Sequence, residues 1–385
     1  MSKNISVDDI KIALSGTGFS LEHTVTEAFR SAGWGVISNR YYVDDTEQKA
    51  RELDLIAYRV SNVNEVEMVT TVLVSCKKDT QNVWAFLSRQ KPSADANHDW
   101  QPVHSWTNVE PLNTYLGSTD WKTKYVSADK RIREFAFDIQ RDVFAFQQIR
   151  PSSPTKTASV PPTKAATPQN DTAIFNAVSG LLKALDFEMN ALKERAANRK
   201  RLYVFFLAVV VDAPLVDVQY TKKGIAEVRD LDHLLHLARY MVRQRHFNAL
   251  VHFVSAEKLR WFVSELEHIA IASSKMFGGF VDESFKAFAS NKAVQEYFAP
   301  LLAERLIRSL NSSLYVNKIK KSIAELEFSM RKDVLLVETD LDPEAAKFLD
   351  EDVDVRKTVA KTLKAIARYS GAFAIKPSFF FDDEF

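Results

Sequence analysis

Three residues in the first quarter of the chain have the types and spacing that metal-dependent phosphodiester chemistry needs. Glu22 lies in a helical pattern, Asp54 opens an apolar strand, and Lys77 ends the next strand in the stretch LVSCKKDT. Carboxylates hold Mg²⁺, which polarises a phosphoryl oxygen, while a lysine orients or activates the attacking water. Side chains two apart on a strand share a face, so residue 75 and Lys77 are expected to point towards Asp54.

These segments resemble the PD-(D/E)XK group of restriction-endonuclease-like proteins. In RELDLIAYR, Asp54 matches the metal-binding aspartate, and in LVSCKKDTQNVWAFL, Lys77 matches the catalytic lysine. Glu22, within GFSLEHTVTEAF, matches the acidic residue that many members carry on the preceding helix. The resemblance covers residues 18–87, with a weaker likeness to a family helix over residues 135–148.

The resemblance implies an N-terminal restriction-endonuclease-like domain that hydrolyses phosphodiester bonds of nucleic acid, with DNA as the expected substrate. Its cofactor would be Mg²⁺, or Mn²⁺, held by Asp54, Glu22 and the backbone carbonyl of Cys76. Lys77 would activate the water. In the family a helix containing tryptophan and phenylalanine follows the lysine, and Trp84 and Phe86 occupy the corresponding element here.

The chain departs from the family pattern at Ser75, where a glutamate is usual. A hydroxyl does not supply a carboxylate's charge, but Mg²⁺ is often held by one or two carboxylates with water and substrate phosphate. Glu52 and Asp79 are nearby acids that lie nominally on the matching face. Three interpretations stay open. The chain is a Mg²⁺-dependent endodeoxyribonuclease, or an inactive nuclease-fold scaffold that binds nucleic acid or a protein partner without cutting, or a protein whose second half is the working part while the first half only docks.

Other candidate sites have weaker support. His233 and His236 lie three apart on a predicted helix near Asp230 and Asp232, but no third ligand follows at a metal-site spacing, so an exposed face is favoured. Cys76 is the only cysteine, has no identifiable histidine partner, and is expected to be a buried thiol. The sequence has no phosphate-binding glycine loop.

Composition predicts a soluble, cytoplasmic protein. The chain has 385 residues, 46% of them hydrophobic, which is ample for packed cores. The longest apolar run, Leu202 to Val211, is about half of what a bilayer crossing needs, and the N-terminus has no signal-peptide core. The formal net charge is only +1, so any nucleic-acid site must be local.

The first 150 residues are predicted to form the nuclease-like domain. Ser20 is the expected N-cap of a helix that ends at Gly33, and three strands follow up to Lys78. Residues 93–127 lack periodicity and are expected to be an irregular insertion or lid. Residues 130–150 have apolar residues at helical spacing and are predicted to be a helix.

The remainder is predicted to hold a second α/β unit and a helical extension. Residues 151–171, rich in Pro, Ser and Thr, are expected to be a flexible linker between domains. Residues 172–272 should contain a helix, a buried strand, a hairpin near Lys222, a helix over 230–244, a strand, and a helix capped by Ser255. Residues 273–385 are predicted to be helical and to offer a surface for a protein partner or a second copy.

Overall fold

The computed structural model describes residues 5–44, 48–91, 102–139, 141–152, 166–195 and 199–378. The chain divides into two compact units. The first unit comprises Met1–Asn108 and Trp121–Met276, and the second comprises Val109–Asp120 and Phe277–Phe385. Most of the predicted linker, the start of the predicted irregular insertion and the FFFDDEF tail lie outside the described residues.

Runs of strands are separated by runs of helices along the described chain. The strands are β1 (Gly35–Asp44), β2 (Lys49–Val63), β3 (Val66–Lys78), β4 (Val83–Gln90), β5 (His104–Thr107), β6 (Arg141–Pro151), β7 (Ala166–Pro168), β8 (Arg201–Asp212), β9 (Leu215–Thr221), β10 (Gly224–Leu231), β11 (His233–Val242), β12 (Arg245–Ser255), β13 (Leu326–Arg331), β14 (Val334–Thr339) and β15 (Phe373–Pro377). The helices are α1 (Val7–Ser15), α2 (Phe19–Ser31), α3 (Glu110–Ser118), α4 (Trp121–Ala128), α5 (Lys130–Ile132, continued by a π-helix over Arg133–Phe137), α6 (Thr172–Arg195), α7 (Leu259–Lys286), α8 (Lys292–Val316), α9 (Pro343–Glu351) and α10 (Val353–Ala367).

The first unit is built on a mixed sheet in the order β1-β2-β3-β8-β12-β11, with β5 paired to β8. β1, β2 and β3 are antiparallel, whereas β8 runs parallel to both β3 and β12. Helices α2 and α6 pack against this sheet. Because its central strands are covered, β3 and β8 are buried along most of their length rather than at alternate residues. A second sheet has the order β10-β9-β4-β6-β7.

Helix α2 buries Leu21, Val25 and Phe29, as its apolar spacing predicts. It ends before Gly33, which adopts a left-handed φ of 78°. The predicted N-cap, Ser20, is wrong, because the helix begins at Phe19 with Gly18 as N-cap and no side-chain capping bond. The first-turn position of Glu22 is unchanged by this shift.

Two predicted helices are strands in the structure. Of residues 130–150, only the start is helical, and Arg141–Pro151 forms β6, which pairs with β4. Residues 233–242 form β11, which pairs with β12 along its whole length. The aromatic and β-branched residues of β6 suit a pleated surface. In both segments, pairing with a neighbouring strand overrides the local helical spacing.

The segments after β3 also differ from the sequence expectations. Trp84 and Phe86 lie in the strand β4, not in a helix. Within the predicted irregular region, the described residues include the strand β5 and the helices α3 and α4. The family helix expected over residues 135–148 is also wrong, because Arg141–Pro151 forms the strand β6.

The predicted linker does not separate two domains. Beyond it, β8 pairs in parallel with β3 over Glu67 to Lys78, and α6 packs on the same sheet. Its last described part, β7, pairs with β6. The two predicted α/β units, 1–150 and 172–272, therefore share one sheet and one core.

The second unit combines helices with a small sheet that the sequence analysis missed. β13 and β14 form a hairpin, and β15 joins β14 in parallel after α9 and α10. Helix α8 has a buried face with a residue every four positions, formed by Val294, Phe298, Leu302, Leu306, Leu310 and Leu314. The chain is thus mixed α/β with a largely helical C-terminal part. No helix among the described residues is long and apolar enough to cross a bilayer.

Candidate functional site

Strands β2 and β3 separate at Asp54 and Ser75. Their antiparallel ladder ends at the pair Leu55 and Val74. Beyond that pair, β2 stays with β1, while β3 stays with β8, where Cys76 lies opposite Val210. We call this point, formed by Asp54 on β2 and Ser75 to Lys77 on β3, the fork. Backbone groups inside the fork have lost their strand partner and must bond elsewhere.

The carboxylate of Asp54 bridges the fork. Its Oδ2 accepts hydrogen bonds from the backbone N–H of Cys76 at 2.6 Å and from the hydroxyl of Ser75 at 3.1 Å. The same oxygen lies 3.7 Å from Nζ of Lys77. The other oxygen, Oδ1, has no hydrogen-bond donor within the described part of the chain. The structure therefore brings Asp54, Ser75 and Lys77 together, as the spacing on the two strands predicts.

Glu22 contributes negative charge at the fork from helix α2. Its pKa is raised above the ordinary value by burial, then by the negative charges of Asp54 and Glu52, with Lys77 partly offsetting the effect. Glu52 itself is exposed and accepts a hydrogen bond of 2.8 Å from the side-chain amide of Asn39. The charges of Asp54 and Glu52 thus both repel the ionised Glu22 carboxylate. A cation bound beside these carboxylates would reduce the repulsion between them.

Asn39 was not identified from the sequence. It adopts a left-handed φ of 52° within β1, a conformation that asparagine tolerates better than most residues. Its amide fixes Glu52 across the strand pair. The only sequence signal was an asparagine interrupting a β-rich segment, which by itself does not reveal which carboxylate it would hold.

Cys76 serves the fork through its backbone. Its side chain is buried, and burial, followed by the charges of Asp54 and Glu22, raises the pKa of its thiol. The thiol therefore stays neutral and is a poor nucleophile. In a β-strand the N–H and C=O of one residue face the same edge. Since the N–H of Cys76 points at Asp54, its carbonyl opens towards the fork as well.

Asp79 lies outside the fork, in the loop between β3 and β4. It accepts hydrogen bonds from the backbone of Gln81 and Asn82, from Trp84 Nε1 at 3.0 Å and from Gln148 Nε2 at 2.6 Å. Burial alone would raise the pKa of Asp79, but these bonds outweigh it and lower the pKa. Asp79 is a loop-holding residue, which corrects its predicted place among the site-lining acids.

The donor set of the fork suits a hard divalent cation. Asp54 Oδ1, the Glu22 carboxylate and the Cys76 carbonyl are oxygen ligands of the kind that Mg²⁺ and Mn²⁺ prefer. Within the described ranges, no group of three or more His, Cys, Asp or Glu side chains is placed to hold a metal ion. Water and substrate oxygens would therefore have to complete the coordination, which is common for Mg²⁺.

His233 and His236 do not form a metal site. Both lie on β11, and residues three apart on a strand point to opposite faces. His233 Nε2 is instead 2.9 Å from Nδ1 of His252, and both rings stack on Phe135. Burial lowers the pKa of His233 to about 4, so this pair is neutral near pH 7.

Sequence reasoning also missed a buried polar cluster in the second sheet. Arg141 Nε donates to the hydroxyl of Ser88 at 2.7 Å, and that hydroxyl donates to the carboxylate of Asp217. The three residues come from β6, β4 and β9, so no local spacing could have revealed them. Gln219 donates to the same carboxylate, which leaves the cluster internally satisfied.

Comparison of the chain with protein-family models, with curated proteins and with solved structures gives no match. A functional assignment therefore depends on the residues themselves. The fork carries the strongest case, because it joins a carboxylate, a lysine and a second acid where two strands separate.

Proposed function

We propose that the first unit is a metal-dependent nuclease of the restriction-endonuclease-like type, with DNA as its substrate. The observation that carries the proposal is the meeting of Asp54 and Lys77 at the fork, 3.7 Å apart, beside the charge of Glu22. This is the inventory that phosphodiester hydrolysis needs: oxygen ligands for a cation and a positive side chain beside them.

Each residue of the fork has a distinct role in this proposal. Asp54, Glu22 and the Cys76 carbonyl hold the cation, which when bound supplies Lewis-acid polarisation of a phosphoryl oxygen and a more acidic water. The Lys77 side chain is one-third exposed, so its ammonium can reach solvent and substrate while Asp54 holds it in place. It orients the attacking water and offsets negative charge that develops on the phosphate.

A second candidate is a scaffold of the same fold that binds without cutting. It is favoured by Ser75, whose hydroxyl donates to Asp54 where a ligating carboxylate would be expected. Together with the Cys76 amide, this hydroxyl satisfies Oδ2 of Asp54 without any metal. The two candidates differ in whether the fork binds a divalent cation tightly enough to act on a phosphate.

The test is calorimetric titration of Mn²⁺ into four proteins: native, Ser75→Glu, Ser75→Gln and Asp54→Asn. Mn²⁺ is chosen because protein sites generally bind it more tightly than Mg²⁺. We expect weak binding by the native protein and a gain on the order of 1 kcal/mol or more for Ser75→Glu, since a charged oxygen ligand is added. Ser75→Gln is the matched control of similar size without charge and should show no gain.

Cleavage assays on plasmid and on single-stranded DNA, with Mg²⁺ or Mn²⁺, complete the test. Cutting by the native protein or by Ser75→Glu, abolished by Asp54→Asn, supports the nuclease. Metal binding without cutting in either protein favours the scaffold. No gain in Ser75→Glu combined with no loss in Asp54→Asn would mean that the fork is not a metal site.

A further inference from the structure

Helix α10 of the second unit carries a row of basic side chains, which we call the basic stripe: Lys357, Lys361, Lys364 and Arg368. The first three lie within the helix, and Arg368 is its C-cap. Spacings of four and three residues place the three lysines within a band about 60° wide on a helix that turns about 100° per residue. Arg368 follows four residues after Lys364, in the left-handed conformation of the C-cap. The three lysines are exposed, and Arg368 is half-buried.

The opposite side of α10 fixes the direction of the stripe. Val355, Val359, Leu363 and Ala367 recur every four residues and are buried. The helix packs against α8 and α9 through contacts within the same unit. Since turning the helix would expose this apolar side, the basic stripe is held outward.

The lysines of the basic stripe have no acid within ion-pair distance in the described part of the chain. Arg368 donates to the helix carbonyl of Ala365 at 3.0 Å. Helix α10 contains one acid, Asp354, in its first turn. By contrast, Lys347 on the neighbouring α9 lies 3.8 Å from Glu351.

Helix stability does not explain the stripe. Cations are favoured near the C-terminus of a helix because they complement its dipole, and this accounts for Lys364 and Arg368. The effect falls off within the last turn, however, and Lys357 lies in the N-terminal half, where a cation gains nothing from the dipole. A row of unpaired cations on one helix face is instead a typical footprint for a polyanion.

We propose that the basic stripe binds the phosphate backbone of nucleic acid without sequence preference. From Lys357 to Arg368 the helix rises about 16 Å, and a duplex carries one negative charge per ~1.7 Å of its axis, so several phosphates lie within reach. The proposal shares with the proposed function only the class of partner. The fork contributes none of the stripe's residues, so either proposal can fail alone.

The experiment measures binding of the whole 385-residue chain to a labelled DNA duplex and to a single strand of equal length, by fluorescence anisotropy in EDTA over a range of NaCl concentrations. The test variant is Lys357→Gln/Lys361→Gln/Lys364→Gln. The control variant, Lys292→Gln/Arg305→Gln/Lys347→Gln, removes the same charge from exposed positions on α8 and α9. Circular dichroism melts verify that both variants fold.

We expect the test variant to bind duplex at least about tenfold more weakly than the native protein. Its plot of log affinity against log salt should be shallower by roughly 2 to 3, since each lost duplex phosphate contact removes about 0.9 from the slope. The control variant should match the native protein. Mn²⁺ binding at the fork should be unchanged by the test variant, and DNA binding in EDTA should be unchanged by Asp54→Asn.

Three results would overturn the proposal. One is that the native protein does not bind either DNA in EDTA. Another is an equal loss of DNA affinity in the test and control variants, which would show that binding depends on the net charge of the protein and not on the basic stripe. The third is stripe-dependent binding to vesicles containing phosphatidylserine that is tighter than binding to DNA, which would identify an anionic membrane surface as the partner.

Discussion

The backbone N–H of Cys76 on β3 donates a 2.6 Å hydrogen bond to Oδ2 of Asp54 on β2. The bond lies where the ladder between the two strands has ended, so a side chain replaces the missing backbone acceptor. The Asp54 carboxylate, which is the proposed metal ligand, therefore also links β2 to β3 at this point. Different substitutions of Asp54 can separate its hydrogen bond to Cys76 from its proposed role as a metal ligand.

Asp54→Ala should lower the free energy of unfolding by about 1 to 3 kcal/mol, because it leaves the Cys76 amide without an acceptor in a half-buried position. Asp54→Asn retains a carbonyl oxygen and should cost less. Urea denaturation monitored by circular dichroism measures both. Equal stability of the two variants would show that the bond to Cys76 contributes little.

Glu22→Gln should stabilise the metal-free protein at pH 7. The pKa of Glu22 is raised in the folded state, so ionisation opposes folding, and stability is lost as pH rises through the ordinary carboxyl range near 4.5. The gain should be small, on the order of 0.5 kcal/mol, because the side chain is partly exposed. Thermal melts at pH 7 and pH 4 should show the gain only at pH 7. A destabilised variant at pH 7 would contradict the repulsion at the fork.

The protein should lose stability as pH falls from about 6.5 towards 4. Burial, aided by Arg239 and opposed by Asp142, lowers the pKa of His236 from 6.5 to about 4. In that window the unfolded chain binds a proton that the folded chain does not, so stability is complete above pH 6.5 and declines below it. The contribution is at most about 3.5 kcal/mol.

The substitution His236→Phe removes this one contribution and should make the acid side of the stability curve less steep. The ring already packs edge-on against Phe146, so an apolar ring suits the site. His23→Gln, at an exposed position on α2, is the control and should leave the curve unchanged. Urea titrations at several pH values supply the measurement, and parallel curves for native protein and His236→Phe would be evidence against the effect.

Asp79→Ala should be more destabilising than most surface substitutions, by about 2 to 4 kcal/mol. It removes the acceptor of the fully buried Trp84 Nε1 and of Gln148 Nε2. Asp79→Asn should cost less, since one acceptor oxygen remains. Mn²⁺ titration of Asp79→Asn should match the native protein. A loss as large as that of Asp54→Asn would return Asp79 to the metal site.

Local sequence patterns predicted much of the fork. The apolar runs around Asp54 and Lys77, joined by a short turn, predict an antiparallel hairpin, and its period of two places Ser75 and Lys77 on one face. The helices α2, α6 and α10 follow from apolar residues at helical spacing. The buried strand β8 follows from an uninterrupted apolar run of strand length.

Features that depend on pairing between segments far apart in the chain were decided only by the tertiary structure. β6 and β11 have helix-like spacing, yet each is a strand because a neighbouring strand satisfies its backbone. The parallel pairing of β3 with β8 joins segments on either side of the predicted linker. The fork exists because β3 continues to pair with β8 after its pairing with β2 has ended. The Asp79 carboxylate is not part of the fork because Trp84 and Gln148 donate hydrogen bonds to it in the loop after β3. Such contacts gain their energy between segments far apart in the chain, so the period of any one segment does not encode them.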